Sequence, residues 1–261
     1  MGAIIKYLGN TYPPQQLAVM RNLFGVIPSV LVLLYTPAWQ AAGRPLKIRQ
    51  WKLGLFRGLL ITIAQFCFYR ALVSIEFATA TTIAFAGPMF VTALSIPILG
   101  LKVGIWRWAA VVIGFIGIVM VVRPGSDVFS WYALLPLGAA FGYGAASVSA
   151  RLFDDDVSTA LVNMYSITAA LIATTLLAWS TDKLTPIVSL HDWLWLIAMG
   201  VCGGTAVFGL IYAYRLVEPS LLSPFEYFGI PFSFLLGWVF FAEAPFDRLF
   251  PGVILIVAAG Y

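Results

Sequence analysis

The chain has 261 residues, 61% of them hydrophobic and only 10% charged, with a mean hydropathy of +0.95. Soluble domains carry roughly a quarter of their residues charged, so this composition excludes an ordinary water-soluble fold and places the chain in a lipid bilayer. The net charge of +4 comes from basic residues at the ends of apolar segments, which is a topology signal and not a nucleic-acid surface.

Long apolar segments without period-two alternation predict an all-α integral membrane protein and not a β-barrel. Met1 to Leu8 is apolar but too short to span, and it runs into the turn Gly9-Asn10-Thr11-Tyr12-Pro13-Pro14. It is expected to be the end of a first helix cut short. A second segment covers about 15–35 and carries Arg21. The linker after it holds Arg44, Lys47, Arg49 and Lys52, with Arg57 just inside the next segment, and reads as cytoplasmic. Segment three covers about 53–75. Segment four, about 77–101, is broken at Gly87-Pro88. Segment five ends at Arg123-Pro124-Gly125, and segment six, about 131–153, is rich in glycine and alanine, as expected of a packed helix. Asp154, Asp155 and Asp156 follow as a solvated loop, since three consecutive acids do not face one point. Segments seven, eight and nine cover about 157–179, 193–217 and 219–242. The last apolar run, 250–261, is expected to be the start of a tenth helix cut short.

Segment nine has a single ionisable residue, Glu226. Helical phasing places Ser223, Glu226, Gly229, Ser233 and Gly237 on one stripe, and Phe225, Phe228, Phe232, Leu235 and Val239 on the opposite side. An acid inside a span needs a partner, a proton or an aqueous cavity, which makes Glu226 a functional candidate. Cys67 and Cys202 lie within apolar segments and read as small hydrophobes. His191 beside Asp192 forms no metal cluster, so neither a metal nor a cofactor is expected.

The chain repeats itself: Tyr69 and Tyr212, Pro88 and Pro231, and Gly117 and Gly260 are each 143 residues apart. Segments three, four and five then pair with eight, nine and ten. Five spans per half force the second half to enter the membrane in the opposite sense, so the expected architecture is a ten-helix bundle of two inverted five-helix repeats, residues 1–125 and 126–261. Both termini are then cytoplasmic by charge bias.

Several stretches carry a family resemblance. They are Arg21-Asn22-Leu23-Phe24-Gly25; Leu55 to Leu60 and Phe68-Tyr69-Arg70-Ala71-Leu72; and Ala84 to Phe90 around Gly87-Pro88. Further on come Gly114-Phe115-Ile116-Gly117 leading to Arg123-Pro124-Gly125, and Pro224-Phe225-Glu226-Tyr227 leading to Phe241-Ala242-Glu243-Ala244-Pro245. In order and spacing the sequence resembles the EamA-type branch of the drug/metabolite transporter superfamily over essentially its whole length. The resemblance implies ten helices in two inverted repeats, a central cavity, and export or uptake of small metabolites. Leu101 departs from it, standing where many relatives have a glutamate, while Glu243 keeps the second-half equivalent.

The candidate function is therefore secondary transport of a small organic molecule across the bacterial inner membrane by alternating access, with protons as a possible second partner through Glu226. An intramembrane enzyme or a non-transporting receptor or scaffold is the alternative. No segment as bounded here contains a histidine, which leaves catalysis without its usual base. Substrate-binding or coupling candidates are Glu226, Arg21, Tyr69, Tyr143, Asn163, Tyr212 and Tyr227. Arg21 at mid-depth serves either a substrate or proton site or a structural ion pair with Glu226. Asn163 bonds either a neighbouring helix or a ligand. The tyrosines line a cavity or belong to packing and the interfacial belt.

Overall fold

The protein is described here from a computed structural model, which describes residues 1–41, 43, 46–101, 104–122, 130–181, 184–217, 229–243 and 252–258. All regular structure among them is helical. The elements are α1 (Gly2–Leu8), α2 (Pro14–Leu34), α3 (Pro37–Ala41), α4 (Trp51–Ser74), α5 (Phe77–Ala84), α6 (Gly87–Leu99), α7 (Ile105–Val122), α8 (Leu135–Ser149), α9 (Thr159–Ser180), α10 (Leu190–Leu216), α11 (Gly229–Phe241) and α12 (Gly252–Ala258). Short 3-10 turns at Trp131–Leu134 and Ala150–Leu152 flank α8.

Six helical stretches among the described residues are long and apolar enough to cross a bilayer: Pro14–Leu34, Trp51–Ser74, Phe77–Leu99, Trp131–Leu152, Thr159–Ser180 and Leu190–Leu216. Gly229–Phe241 is apolar but shorter. The beginning of segment nine, with Glu226 and Tyr227, lies outside the described residues. The break in segment four falls where Pro88 removes a backbone donor: α5 closes at Phe85, whose N–H bonds the Thr81 and Thr82 carbonyls, and α6 opens two residues later. At the far end of α6, Gly100 adopts a left-handed conformation (φ 68°) and its N–H bonds the Ile96 carbonyl at 2.9 Å, a glycine stop.

The described chain packs as two units, residues 1–62 with 149–216, and 63–148 with 217–261. Each takes helices from both halves of the sequence. In the first unit α2 lies against both α9 and α10. The contacts Gln15 to Thr181, Asn22 to Thr174 and Ser29 to Asn163 descend α9 as they ascend α2, so these two helices are antiparallel. With α10 the contacts keep step: Tyr12 meets Asp192, Arg21 meets Gly203, and Gly25 meets Gly204. The backbones of Gly25 and Gly204 touch, an approach that only glycine permits. An apolar core of Leu33, Trp39, Ile48, Phe153, Leu161 and Ile211 closes one end of this unit.

The second unit is packed by apolar and aromatic groups around Ile83, Met89, Ile118, Val121, Ile230 and Ile256. Phe77 stacks near Phe241 (centroids 5.7 Å apart), Ala78 faces Gly237, and Phe85 abuts Gly229, which makes α5 and α11 antiparallel. Gly117 of α7 and Gly252 of α12 meet backbone to backbone. Val121 also meets Gly252, and Gly117 meets Ile256, so this pair is antiparallel as well. On α11 the expected phasing holds for its described part: Ser233 and Gly237 are buried, while Phe232, Leu235 and Val239 are exposed. The small residues Ala139, Ala140, Ala145 and Ala146 of α8 are buried, and Gly144 rests on Phe90 and Val91 of α6.

Candidate functional site

The first unit contains a buried polar seam. On α2, Asn22 and Ser29 are two turns apart and share a face. On α9, Asn163 and Thr174 are three turns apart and share a face that meets it. Asn163 Nδ2 donates to Ser29 Oγ at 2.6 Å, and Asn22 Nδ2 donates to Thr174 Oγ1 at 3.4 Å. All four side chains are buried, and the Asn163 Oδ1 has no hydrogen-bond partner among the described residues. Asn163 thus bonds the neighbouring helix α2 through Nδ2 while its Oδ1 stays without a described partner.

Arg21 lies beside this seam and is only 3% exposed. Its Nη1 donates to Asn22 Oδ1 at 3.0 Å and its Nη2 to the Gly203 carbonyl at 3.1 Å. Nε is buried with no partner among the described residues. The expected pairing with Glu226 lies outside the described residues on the acid's side. A second arginine is equally enclosed. Arg57 was expected at a cytoplasmic helix end as a topology residue, yet it is 2% exposed and donates to Ser166 Oγ of α9 at 2.9 Å. The signal for it in the sequence was its place after Gly54 and before Gly58: both glycines let α4 sit close on Tyr165 and Ala169 of α9, and Arg57 is carried inward with them.

The described tyrosine candidates differ in burial. Tyr69 is fully buried, and Tyr143 is half-buried in the continuous helix α8. Tyr212 is 51% exposed and stacks on Phe208, with planes 18° apart. Both ends of the first unit are tied by polar groups. At one, Tyr12 donates to Asp192 Oδ2 at 2.7 Å, and Gln16 exchanges two hydrogen bonds with the backbone of Thr185. The bond to Asp192, aided by burial and by the negative charge, raises the Tyr12 pKa above its ordinary value. At the other, Arg151 donates to the Tyr214 carbonyl, and Arg215 donates to Val157 O, Thr159 Oγ1 and Asp154 O. Arg215 thus holds the loop before α9 instead of merely marking a helix end.

In the second unit, Glu243 Oε2 accepts the Phe77 N–H at 2.6 Å, placing a carboxylate at the start of α5. An open groove there, lined by Phe90, Trp108, Val112, Phe115, Val119 and Met120, is apolar throughout and offers nothing to orient a polar solute. No group of three potential metal ligands occurs among the described residues.

Comparison with known proteins gives a consistent result. The chain is 32% identical to a riboflavin transporter of Vibrio cholerae over 65% of this chain and 56% of that protein. It is 27% identical to the pseudopaline exporter CntI of Pseudomonas aeruginosa over 99% of this chain and 89% of that one, and 25% identical to an S-adenosylmethionine uptake transporter of Rickettsia felis over 97% and 84%. A crystal structure superposes with a TM-score of 0.70 at 20% identity, covering 98% of this chain and 92% of that one, which shows a shared fold. The pattern of the EamA-like transporter family matches residues 1–123 and 130–261, so this multi-pass membrane protein belongs to that family.

Proposed function

We propose that the protein is a secondary transporter that moves a small organic metabolite across the cytoplasmic membrane of a bacterium by alternating access, without catalysis. The observation that carries this reading is the antiparallel packing of three helix pairs, α2 with α9, α5 with α11, and α7 with α12. Each joins segments that correspond in the two halves, as inverted five-helix repeats require. Two such repeats favour two mirror-related conformations, one open to each side, with the substrate held between them.

Within this reading Arg21 and Asn163 contribute to the substrate pathway, since a charge or an amide kept inside a span is costly unless it serves a solute or a partner. Tyr69, Tyr143, Tyr212 and Tyr227 are the aromatic candidates. Glu226 carries the coupling proton or meets a positive group of the substrate, because a carboxylate partly removed from water changes its protonation when its access to water changes. The test is uptake into sealed proteoliposomes under a pH gradient by wild type and Glu226→Gln. Coupling through Glu226 predicts a stable variant that loses pH-driven uptake and keeps substrate exchange. Wild-type transport with unchanged pH dependence in the variant contradicts it.

A further inference from the structure

We infer that Arg21 is the receptor for a carboxylate on the substrate, with Gly203 as the residue that leaves the receiving edge of its guanidinium uncovered by any side chain of its own. The inference rests on the transport reading above and adds the chemical class of the solute.

A guanidinium has five N–H donors, and its Nε and Nη2 edge matches the two oxygens of a carboxylate. Here that edge lies against Gly203. Nη2 bonds the Gly203 carbonyl at 3.1 Å, while Nε has no partner among the described residues; the place a Cβ on residue 203 would occupy meets Met1 Sδ and is 3.1 Å from Nε, so the Met1 side chain covers this edge and must move for an anion to enter. One neutral carbonyl therefore meets an edge built for two anionic oxygens. The opposite side of the group is fixed separately: Nη1 donates to Asn22 Oδ1 at 3.0 Å, and Asn22 in turn donates to Thr174. Asn22 is a positioning residue that aims the guanidinium at α10.

The surrounding charge has the same sense. Arg21 and Arg57 are the charged side chains buried among the described residues, both are cationic, and both lie in the first unit. A low-dielectric interior holding positive charge favours an anion over a neutral or cationic solute. Glycine at 203 fits this role. A Cβ there would meet Met1 Sδ and lie 3.1 Å from Nε, so a side chain would crowd both, and a carboxylate taking Nε and Nη2 displaces Met1 and one carbonyl bond and forms two ionic hydrogen bonds.

The experiment compares small carboxylic acid metabolites with their neutral amides, and with inorganic phosphate, by thermal stabilisation of the purified protein in detergent. Acids are expected to stabilise the wild type and amides are not. Apparent affinity for the acids should fall roughly tenfold or more in Arg21→Gln, and also in Gly203→Ala, which keeps the charge and blocks the edge. Arg21→Lys, a point charge without the fork, should retain part of it. Equal stabilisation by acids and amides, acid affinity unchanged in both Gly203→Ala and Arg21→Gln, stabilisation by phosphate alone, or no stabilisation by any acid overturns the inference. If Arg21→Gln does not fold, Gly203→Ala decides. Sealed-vesicle flux of an uncharged substrate, unaffected by Arg21→Gln, overturns the carboxylate assignment and leaves transport standing. Acid binding without flux of any solute overturns transport and leaves the binding assignment standing.

Discussion

Two helix contacts in the first unit use the same backbone geometry and different chemistry. At α4 against α9, Gly58 rests on the Ala169 Cβ and the Ser166 carbonyl. At α10 against α2, Gly200 rests on the Phe24 Cβ and the Arg21 carbonyl. Ser166 and Arg21 thus stand at the same place, three residues before the side chain that covers the glycine. The residues preceding the two glycines are Arg57 and Met199, both buried. Each contact holds one arginine: Arg57 of α4 donates across to a serine hydroxyl of α9, while Arg21 of α2 donates to Asn22 on its own helix and across to the Gly203 carbonyl of α10. Close glycine packing is what the two contacts have in common. The side chains around it have diverged: one arginine meets a hydroxyl, and the other meets a carbonyl while its Nε has no partner among the described residues.

The largest expected effect breaks the common part. Gly204→Leu and Gly58→Leu each force apart backbones or Cβ atoms already in contact, and each should destabilise the protein by about 3 kcal/mol. Thermal or denaturant unfolding in detergent measures this, and a wild-type melting curve for either variant would show that the close packing is not needed. The next effect has the opposite sign. Arg21→Met removes a buried charge whose partners among the described residues are neutral, so stability should rise by about 2 kcal/mol, whereas a loss of similar size would identify Arg21 as a structural tie. Ser166→Ala removes the acceptor of a charge-assisted bond and should cost about 1.5 kcal/mol. These two variants together show whether the arginines differ in role.

The smallest effect lies at the end of the unit, outside the spans. Tyr12→Phe deletes the bond to Asp192 and should cost about 1 kcal/mol at neutral pH. Because the folded protein raises the Tyr12 pKa above its unfolded value of 10.0, the neutral phenol's contribution is complete below that pH and is lost as pH rises through the folded pKa. The alkaline decline in stability should be shallower in Tyr12→Phe than in wild type. Equal slopes would remove Tyr12 as its source.

Much of the fold was legible because it depends on local properties. Apolar runs of about twenty residues locate the spans, Pro88 breaks segment four where its missing donor requires, and the alternation of Ser233 and Gly237 with Phe232, Leu235 and Val239 gives the buried face of α11. Residues whose roles depend on distant partners were not legible. Arg57 looked like one more basic residue after Lys47, Arg49 and Lys52, and its partner Ser166 lies 109 residues on. Arg215 looked like a charge at a helix end, yet it bonds two carbonyls in the loop before α9 and the hydroxyl of Thr159 at the start of α9. Tyr212 looked like the counterpart of Tyr69, but one is 51% exposed and the other fully buried.

The central claim, that solutes cross the membrane through this protein by alternating access, is tested most directly by counterflow. Proteoliposomes loaded with unlabelled solute, chosen from an unbiased metabolite screen of the purified protein, are diluted into trace labelled solute without a pH gradient. The account predicts accumulation of label that depends on internal solute and disappears when the vesicles are made leaky. Label that binds equally to sealed and leaky vesicles, with no stimulation by internal solute, would contradict it.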